Sequence, residues 1–225
     1  MKNIFKTISI FSILFISCNK ADEVIESRSS ANQNKILFSS EVNDISHLYM
    51  MNVDGSNETK ITNFTNVINP VSTGEASWSP DGAKIIFISD KDSDNDGGSV
   101  IYTINYDGTN LVRINHNARG ENNPKFSPNG KKILFSSDVN DVSHLYTMNV
   151  DGTNETKITN FTNGTNSVWG AGDASWSPDG TKIIFISDKD SDNDGGSEIY
   201  TINSDGTNLV RINHNARGES NPTWN

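Results

Sequence analysis

The sequence predicts an all-β fold, a β-propeller of four four-stranded blades. An aromatic residue recurs at Trp78, Phe126, Trp176 and Trp224, with spacings of 48, 50 and 48 residues. These spacings match the length of one propeller blade, roughly 40 to 50 residues. The first three aromatic residues precede the turn sequence Ser-Pro-Asp/Asn-Gly, and short apolar runs separated by Gly, Asn and Asp follow. That pattern is typical of short strands joined by turns.

The second repeat shows the four expected strands most clearly, at residues 76–79, 84–89, 100–105 and 111–115. Ser-Pro-Asp-Gly joins the first two strands, because Pro presets φ for a type I turn and Gly closes it. An Asp-Gly-Thr-Asn turn joins the last two. Alternation of side chains along these runs predicts strands packed as face-to-face sheets.

The propeller is expected to occupy residues 34–225 and to be closed by its C-terminal strand. The chain enters the first repeat at its second strand, so there are four first strands only when residues 221–224 form one of them. Joining that strand to the first blade closes a ring and removes two sheet edges that would invite aggregation. We expect a monomer closed in this way. The alternative is an open four-blade arc that pairs with a second copy into an eight-bladed ring.

The first 17 residues are predicted to be a secretory signal. Two lysines precede an apolar run of nine residues, which is shorter than the roughly 20 residues of a membrane-spanning helix. The position of Cys18 directly after this run resembles a bacterial lipoprotein signal, although Phe15 and Ile16 depart from that pattern. The resemblance implies that Cys18 is the lipid attachment site, and the polar residues 18–33 are expected to form a flexible tether.

Composition excludes several classes of function. Eighteen Lys and Arg residues against 28 Asp and Glu residues give a net charge of -10, so nucleic acid is not an expected partner, because phosphate binding needs a basic face. A single cysteine excludes an intramolecular disulfide and leaves no thiol in the predicted propeller for catalysis or metal binding.

Two sequence motifs resemble those of a known family: Trp-Ser-Pro-Asp-Gly-x-Lys-Ile-x-Phe-x-Ser, and Ile-Tyr-x-Ile-Asn-x-Asp-Gly-Thr-Asn. Together they resemble the WD40-like repeat of the TolB-type β-propellers, over residues 34–225. TolB itself resembles a six-bladed propeller with an additional N-terminal α/β domain, and this chain has four repeats. The resemblance therefore implies the β-propeller fold for this chain, and we do not assign the partners of TolB to it.

Two of the four repeats have a longer connection between their second and third strands. The second-strand Phe and third-strand Tyr are 11 residues apart in repeats one and three, and 15 apart in repeats two and four. Insertions confined to one face often mark the binding face of a propeller.

The inserted loops, residues 90–98 and 188–196, predict calcium sites. Each contains Asp-x-Asp-x-Asp-Gly, the first half of an EF-hand loop, in which alternate carboxylates converge on one Ca²⁺. The twelfth position, a Glu in EF-hands, is Thr103 or Thr201 here. The alternative is that Asp, Asn and Gly simply form turns. The predicted ligands are Asp92, Asp94 and Asp96 in the first loop, and Asp190, Asp192, Asp194 and Glu198 in the second.

The connections between blades contain further candidate ligand-binding residues. These are His116 and Arg119, their repeats His214 and Arg217, and the unrepeated Trp169. His and Arg suit an anionic or polar ligand, and Trp can stack on one. The alternatives are that each Arg pairs with a Glu to brace adjacent blades, and that Trp169 packs on a blade. We interpret His47 and His144, which begin third strands, as structural.

The sequence contains no G-x-S-x-G, no H-E-x-x-H and no phosphate-binding Gly loop, so no catalytic set is predicted. We expect a non-enzymatic, lipid-anchored binding module of the bacterial cell envelope, with a protein, peptide or glycan ligand. One alternative is a hydrolase or lyase acting on glycans through His116 and His214, and another is a structural spacer. Asn19 is not the Asp that signals inner-membrane retention, so we expect an outer-membrane lipoprotein, periplasmic or on the cell surface.

Overall fold

The computed structural model describes residues 34–64, 71–92, 98–114, 120–161, 171–189, 196–212 and 218–224. Within these ranges the chain is all-β, with fifteen strands arranged in four antiparallel sheets. No helix in the described ranges is long and apolar enough to cross a membrane.

Each sheet is one blade, and its strands follow one another along the chain and across the sheet. Blade 1 contains β1 (Lys35–Val42), β2 (Ile45–Asn52) and β3 (Thr59–Lys60); blade 2 contains β4 (Thr73–Trp78), β5 (Lys84–Ser89), β6 (Val100–Asn105) and β7 (Val112–Arg113). Blade 3 contains β8 (Asn122–Phe126), β9 (Lys132–Val139), β10 (Val142–Asn149) and β11 (Thr156–Lys157); blade 4 contains β12 (Ala171–Trp176), β13 (Lys182–Ser187), β14 (Glu198–Asn203) and β15 (Val210–Arg211). The predicted propeller blades are confirmed.

The Ser-Pro-Asp-Gly turn holds the first two strands of a blade together through its side chains. In blade 2 the Ser79 hydroxyl donates to Asp81 Oδ1 (2.6 Å) and accepts the backbone N–H of Lys84 (2.9 Å). Gly82 has φ of 66°, a left-handed conformation that favours glycine. The turn sequence therefore recurs because each of its residues has a separate structural task.

The centre of each blade is a stacked aromatic pair. Phe87 lies opposite Tyr102 in the β5–β6 register, with ring centroids 5.6 Å apart. The equivalent pairs, with centroids 5.5 to 5.7 Å apart, are Phe38 with Tyr49, Phe135 with Tyr146, and Phe185 with Tyr200. These pairs explain why Phe and Tyr recur, since aromatic cross-strand pairs stabilise a sheet.

The repeated tryptophan at the end of the first strand packs between blades in blades 2 and 4. Trp176 is buried in the core cluster of blade 4, and its indole N–H donates to the Lys125 carbonyl of blade 3 (3.4 Å). Trp78 packs against the core of blades 1 and 2. The indole rings of Trp78 and Trp176 therefore join neighbouring blades.

The described residues do not show the predicted closure by the C-terminal strand. Asn221 donates its backbone N–H to the Asp173 carboxylate of β12 (3.3 Å), so the C-terminal segment lies beside blade 4 where the first strand of a next blade belongs. In the described residues, however, blade 1 is a three-stranded sheet, and residues 218–224 form no strand with β1. The strands of blade 1 pack on blade 2 and those of blade 4 on blade 3, so the C-terminal segment and β1 lie at opposite ends of the row of blades.

Candidate functional site

The fold gives the propeller two different faces. Antiparallel strands place the first-to-second and third-to-fourth turns on one face, which we call the turn face. The second-to-third loops and the connections between blades lie on the opposite face, the loop face. The ends of β5 and β6, and those of β13 and β14, from which the two inserted sequences run, lie at the loop face.

At the edge of the loop face, Asp92 in blade 2 is held by three groups. Its carboxylate accepts hydrogen bonds from Tyr102 Oη (2.8 Å) and Lys91 Nζ (2.6 Å), and its carbonyl accepts one from Arg113 (3.2 Å). Burial alone would raise the pKa of Asp92, but the bonds from Lys91 and Tyr102 outweigh it, and the pKa is lowered. Burial and the Asp92 carboxylate together raise the pKa of Tyr102. Asp92 is therefore an ionised carboxylate.

In blade 4 a carboxylate also accepts a hydrogen bond from the equivalent tyrosine hydroxyl, but it comes from a different position of the repeat. Glu198 is fully buried; Arg211 Nη2 lies 2.6 Å from its Oε1, and Tyr200 Oη donates to its Oε2 (3.0 Å). Blade 2 has the buried Val100 at this position. The sequence analysis did not predict that a Tyr and an Arg on neighbouring strands contact the carboxylate beside each inserted loop. The repetition of Tyr102 and Arg113 as Tyr200 and Arg211 was a signal for this arrangement.

Most of the predicted calcium ligands lie outside the described residues. This holds for Asp94, Asp96, Asp190, Asp192 and Asp194. The two ligands that the structure describes, Asp92 and Glu198, each have a cationic partner, which Ca²⁺ would have to displace. Across the described ranges no three acidic, His or Cys side chains cluster as a metal site would require. Calcium stays a prediction that depends on residues 93–97 and 190–195.

The other predicted site residues also lie outside the described residues. These are Cys18, His116, Arg119, Trp169, His214 and Arg217. Their predicted roles in lipid attachment and ligand binding stay predictions.

The two described histidines are structural. His47 is 3% exposed, its ring stacks on Phe64 with centroids 5.4 Å apart, and its Nδ1 lies 3.4 Å from Thr62 Oγ1. His144 repeats this arrangement with Phe161 and Thr159. Burial lowers the pKa of both rings, and Lys60 and Lys157 lower it further. Both are neutral rings packed inside the fold.

The turn face contains a cleft that sequence analysis did not predict. It lies between blades 2 and 3 and has a volume of about 520 Å³, within the range of small-ligand sites, about 300 to 1,000 Å³. Its apolar walls come from the last strand of blade 2 and from the first strand and turns of blade 3. They are Val112, Ile114, Phe126, Pro128 and Val150.

One of the residues lining this cleft, Phe126, departs from the other repeats. It stands where repeats two and four have Trp78 and Trp176. Phe126 and Trp78 are partly buried, and Trp176 is buried. Phe lacks the second ring of the indole and the N–H that Trp176 donates across its junction, so its side chain fills less space beside the cleft.

The polar groups at the rim of the cleft are engaged in the turns of the propeller. Asp81 Oδ1 accepts from Ser79 and from the Ala83 backbone N–H, and Asp151 Oδ1 accepts from the Thr153 side chain and backbone. The site therefore offers apolar surface with few available hydrogen-bonding groups.

The four sheets, the aromatic junctions and the Asp-Gly turns define a repeat β-propeller. Two family models match the sequence: the TolB beta propeller domain over residues 116–225, and the dipeptidyl peptidase IV N-terminal region over residues 12–135. The chain belongs to the family of the dipeptidyl peptidase IV N-terminal region, whose model matches more than half of it, and its residues 116–225 match the TolB beta propeller domain. No curated protein matches the sequence.

Solved structures share this fold at low sequence identity. A TolB-type structure from Agrobacterium tumefaciens is 22% identical with a TM-score of 0.61, and covers 79% of this chain and 60% of that one. TolB from Acinetobacter baumannii is 20% identical with a TM-score of 0.63, covering 81% and 42%. Oligogalacturonate lyase from Vibrio parahaemolyticus is 14% identical with a TM-score of 0.54, covering 80% and 62%. The chain thus spans 60% or less of the two TolB structures.

Proposed function

We propose that this protein is a non-enzymatic binding module of the bacterial cell envelope, anchored by a lipid on Cys18, whose ligand is an apolar segment of a protein or peptide. The observation that carries the proposal is the cleft between blades 2 and 3. It is concave, mainly apolar and formed by rigid strands and turns, which are the general properties of a binding site.

The lining favours a peptide over a glycan. A sugar buried in the cleft would need hydrogen-bond partners for its hydroxyl groups, because an unpaired buried hydroxyl is costly. The carboxylates of Asp81 and Asp151 already accept bonds within their own turns, and Lys84 Nζ donates to Asn105 (3.2 Å). An aliphatic or aromatic side chain needs no such partners.

The enzymatic alternative has no support from the described residues. A hydrolase or lyase acting through histidine would need an imidazole open to a substrate, and the described histidines, His47 and His144, are enclosed by Phe and Thr side chains. That alternative depends on His116 and His214. Glycan turnover abolished by His214→Ala would overturn the binding proposal.

A displayed peptide library tests the proposal directly. The full-length chain, processed by its bacterial host, is expected to enrich peptides that share an aromatic or large aliphatic residue. Phe126→Trp restores the residue of the other repeats and fills the cleft, so it is expected to weaken binding of the enriched peptides at least tenfold. The same change at Leu209, which is exposed on blade 4, is the matched control and should leave binding unchanged.

Two results would contradict the proposal. Enriched peptides without any apolar residue in common would show that the cleft does not select them. Equal binding by Phe126→Trp and the parent chain, with the variant folded to the same circular dichroism spectrum, would place peptide binding elsewhere. Retention of the protein in the membrane fraction after Cys18→Ala would contradict the lipid anchor separately.

A further inference from the structure

The junction between neighbouring blades repeats along the chain with one recurring contact. The Asp-Gly turn of each blade lies against the last strand of the preceding blade, so that a β-carbon on the turn glycine would meet the carbonyl oxygen of an isoleucine. The described pairs are Gly108 with Ile61, Gly152 with Ile114, and Gly206 with Ile158. One blade-to-blade geometry therefore recurs through the chain.

The outer side of blade 4 carries the isoleucine half of this junction, without a described blade packed on it. Ile212 corresponds to Ile61, Ile114 and Ile158, but it is 52% exposed where they are 4 to 6% exposed. Its neighbour Val210 is 41% exposed, close to the 39% of the equivalent Val112, although blade 2 has a blade beside it. The exposure of Ile212 is thus specific to the half junction.

Blade 1 presents the complementary half. Gly55 is the equivalent turn glycine, and no atom lies within 4 Å of the place where its β-carbon would be. The edge strand β1 is also uncovered: Ile36 is 38% exposed, while Ile85, Ile133 and Ile183 are fully buried by the first strands of their blades.

The C-terminal segment, residues 221–224, corresponds in the repeat to the first strand that blade 1 lacks. The Asn221 N–H donates to Asp173 (3.3 Å), and the Ser175 hydroxyl donates to the Pro222 carbonyl (3.5 Å). The same two bonds join the first strands of blades 2 and 3, from Asn123 to Glu75 and from Ser77 to Pro124. The segment is therefore held beside blade 4 in the position of a next blade's first strand.

We propose that a second copy of this chain completes both half junctions, so that two copies form a closed ring of eight blades. Blade 4 of each copy packs on blade 1 of the other, with Ile212 against Gly55, and residues 221–224 become the first strand of the other copy's blade 1. Two such junctions related by a two-fold axis close the ring. Eight blades lie within the usual range of about 4 to 8 for propellers, and the twelve of three copies do not.

Closure within one chain is less compatible with the structure. It requires blade 1 to contact blade 4, but the main contacts that the described strands of these blades make with other blades are with blades 2 and 3 respectively. The repeated Gly-Ile contact is already present at each internal junction. A second copy leaves each of these contacts as it is.

A disulfide designed from the strand register tests the proposal. Ser77 pairs with Ile86 and Ser175 pairs with Ile184, so Thr223 is expected to pair with Leu37 of the other copy, at a Cα separation suited to a disulfide. The full-length chain carrying Thr223→Cys and Leu37→Cys is expected to form a covalent dimer on oxidation. Each single variant controls for disulfides through Cys18.

Each result of this experiment decides the matter. A covalent dimer supports the ring of two copies. A monomer with an internal disulfide, seen as faster migration without reductant, would overturn it in favour of closure within one chain. Absence of any disulfide would also overturn it, because residues 221–224 would then not pair with β1 at all.

Native mass spectrometry of the host-processed full-length chain provides a second test. The expected mass is that of two copies. Ile212→Glu places a charge in the new junction and is expected to weaken dimerisation at least tenfold, whereas Leu111→Glu, at an exposed position on blade 2, should leave the dimer intact. A parent chain that is monomeric at micromolar concentration, or equal dimerisation by the two variants, would overturn the proposal.

Discussion

Gly152 lies so close to the carbonyl oxygen of Ile114 that a β-carbon on this residue would overlap that oxygen. The contact joins the third-to-fourth turn of blade 3 to the last strand of blade 2. Glycine is needed here for two reasons, its φ of 85° and the closeness of the neighbouring blade.

Gly152→Ala is expected to destabilise the protein by about 3 kcal/mol or more, since the left-handed conformation costs about 1–2 kcal/mol for alanine and the clash at the blade junction adds to it. Gly120→Ala is the matched control, because Gly120 also has positive φ but no atom within 4 Å of its β-carbon position. Urea unfolding of both variants measures the difference. Equal losses would show that the blades do not meet at Gly152.

Stability is expected to fall as the pH drops from about 7 towards 5, because of His47 and His144. Burial, with Lys60 and Lys157 nearby, lowers the pKa of both rings below the ordinary 6.5. The folded state then binds fewer protons than the unfolded state in this range, so their contribution is complete above pH 6.5 and is lost as the pH falls. Urea unfolding at several pH values should show a flatter profile for His47→Gln with His144→Gln. An unchanged profile would contradict the assignment.

Glu198→Gln is expected to cost on the order of 3 kcal/mol, because removing one partner of a buried ion pair leaves the other charge uncompensated. Arg211 is that partner, at 2.6 Å. Urea unfolding in EDTA measures the ion pair without any metal, with the exposed Glu58→Gln as control. A loss that is seen only when calcium is present would instead assign Glu198 to a metal site.

Calcium is expected to raise the unfolding temperature if the inserted loops bind it. A site with a Kd of about 10 μM, at about 1 mM Ca²⁺, adds about 2.7 kcal/mol, or roughly 5 to 10 °C for a domain of this size. Thermal unfolding in EDTA and then in Ca²⁺, with Mg²⁺ as control, measures the shift. Asp192→Asn with Asp194→Asn should abolish the contribution of the second loop. An unchanged midpoint in Ca²⁺ would identify both loops as turns.

The site was less predictable than the blades that carry it. Sequence analysis chose the loop face because its connections vary in length, whereas the cleft lies on the turn face, with residues of blades 2 and 3 in its lining. One of them, Phe126, fits the core pattern as well as tryptophan does. Only its position between two blades shows that it lines a cavity. The ion pair of Glu198 with Arg211 was equally hard to predict from the sequence. Glu198 lies on β14, and Arg211 lies on the neighbouring strand β15, where it pairs with Tyr200.

The sequence by itself determined the repeat length, the strand order within each blade and the turns, since these depend on contacts between residues that are close along the chain. Strand alternation and Ser-Pro-Asp-Gly turns specify a blade locally, and four copies specify it four times. The tertiary structure decided how the blades meet, which spaces between them stay open, and that the C-terminal segment lies beside blade 4 without reaching β1. These features depend on contacts between residues about 40 to 50 positions apart in the chain, as at Gly152 and Ile114 or Trp176 and Lys125, and no local pattern encodes the shape of such a junction.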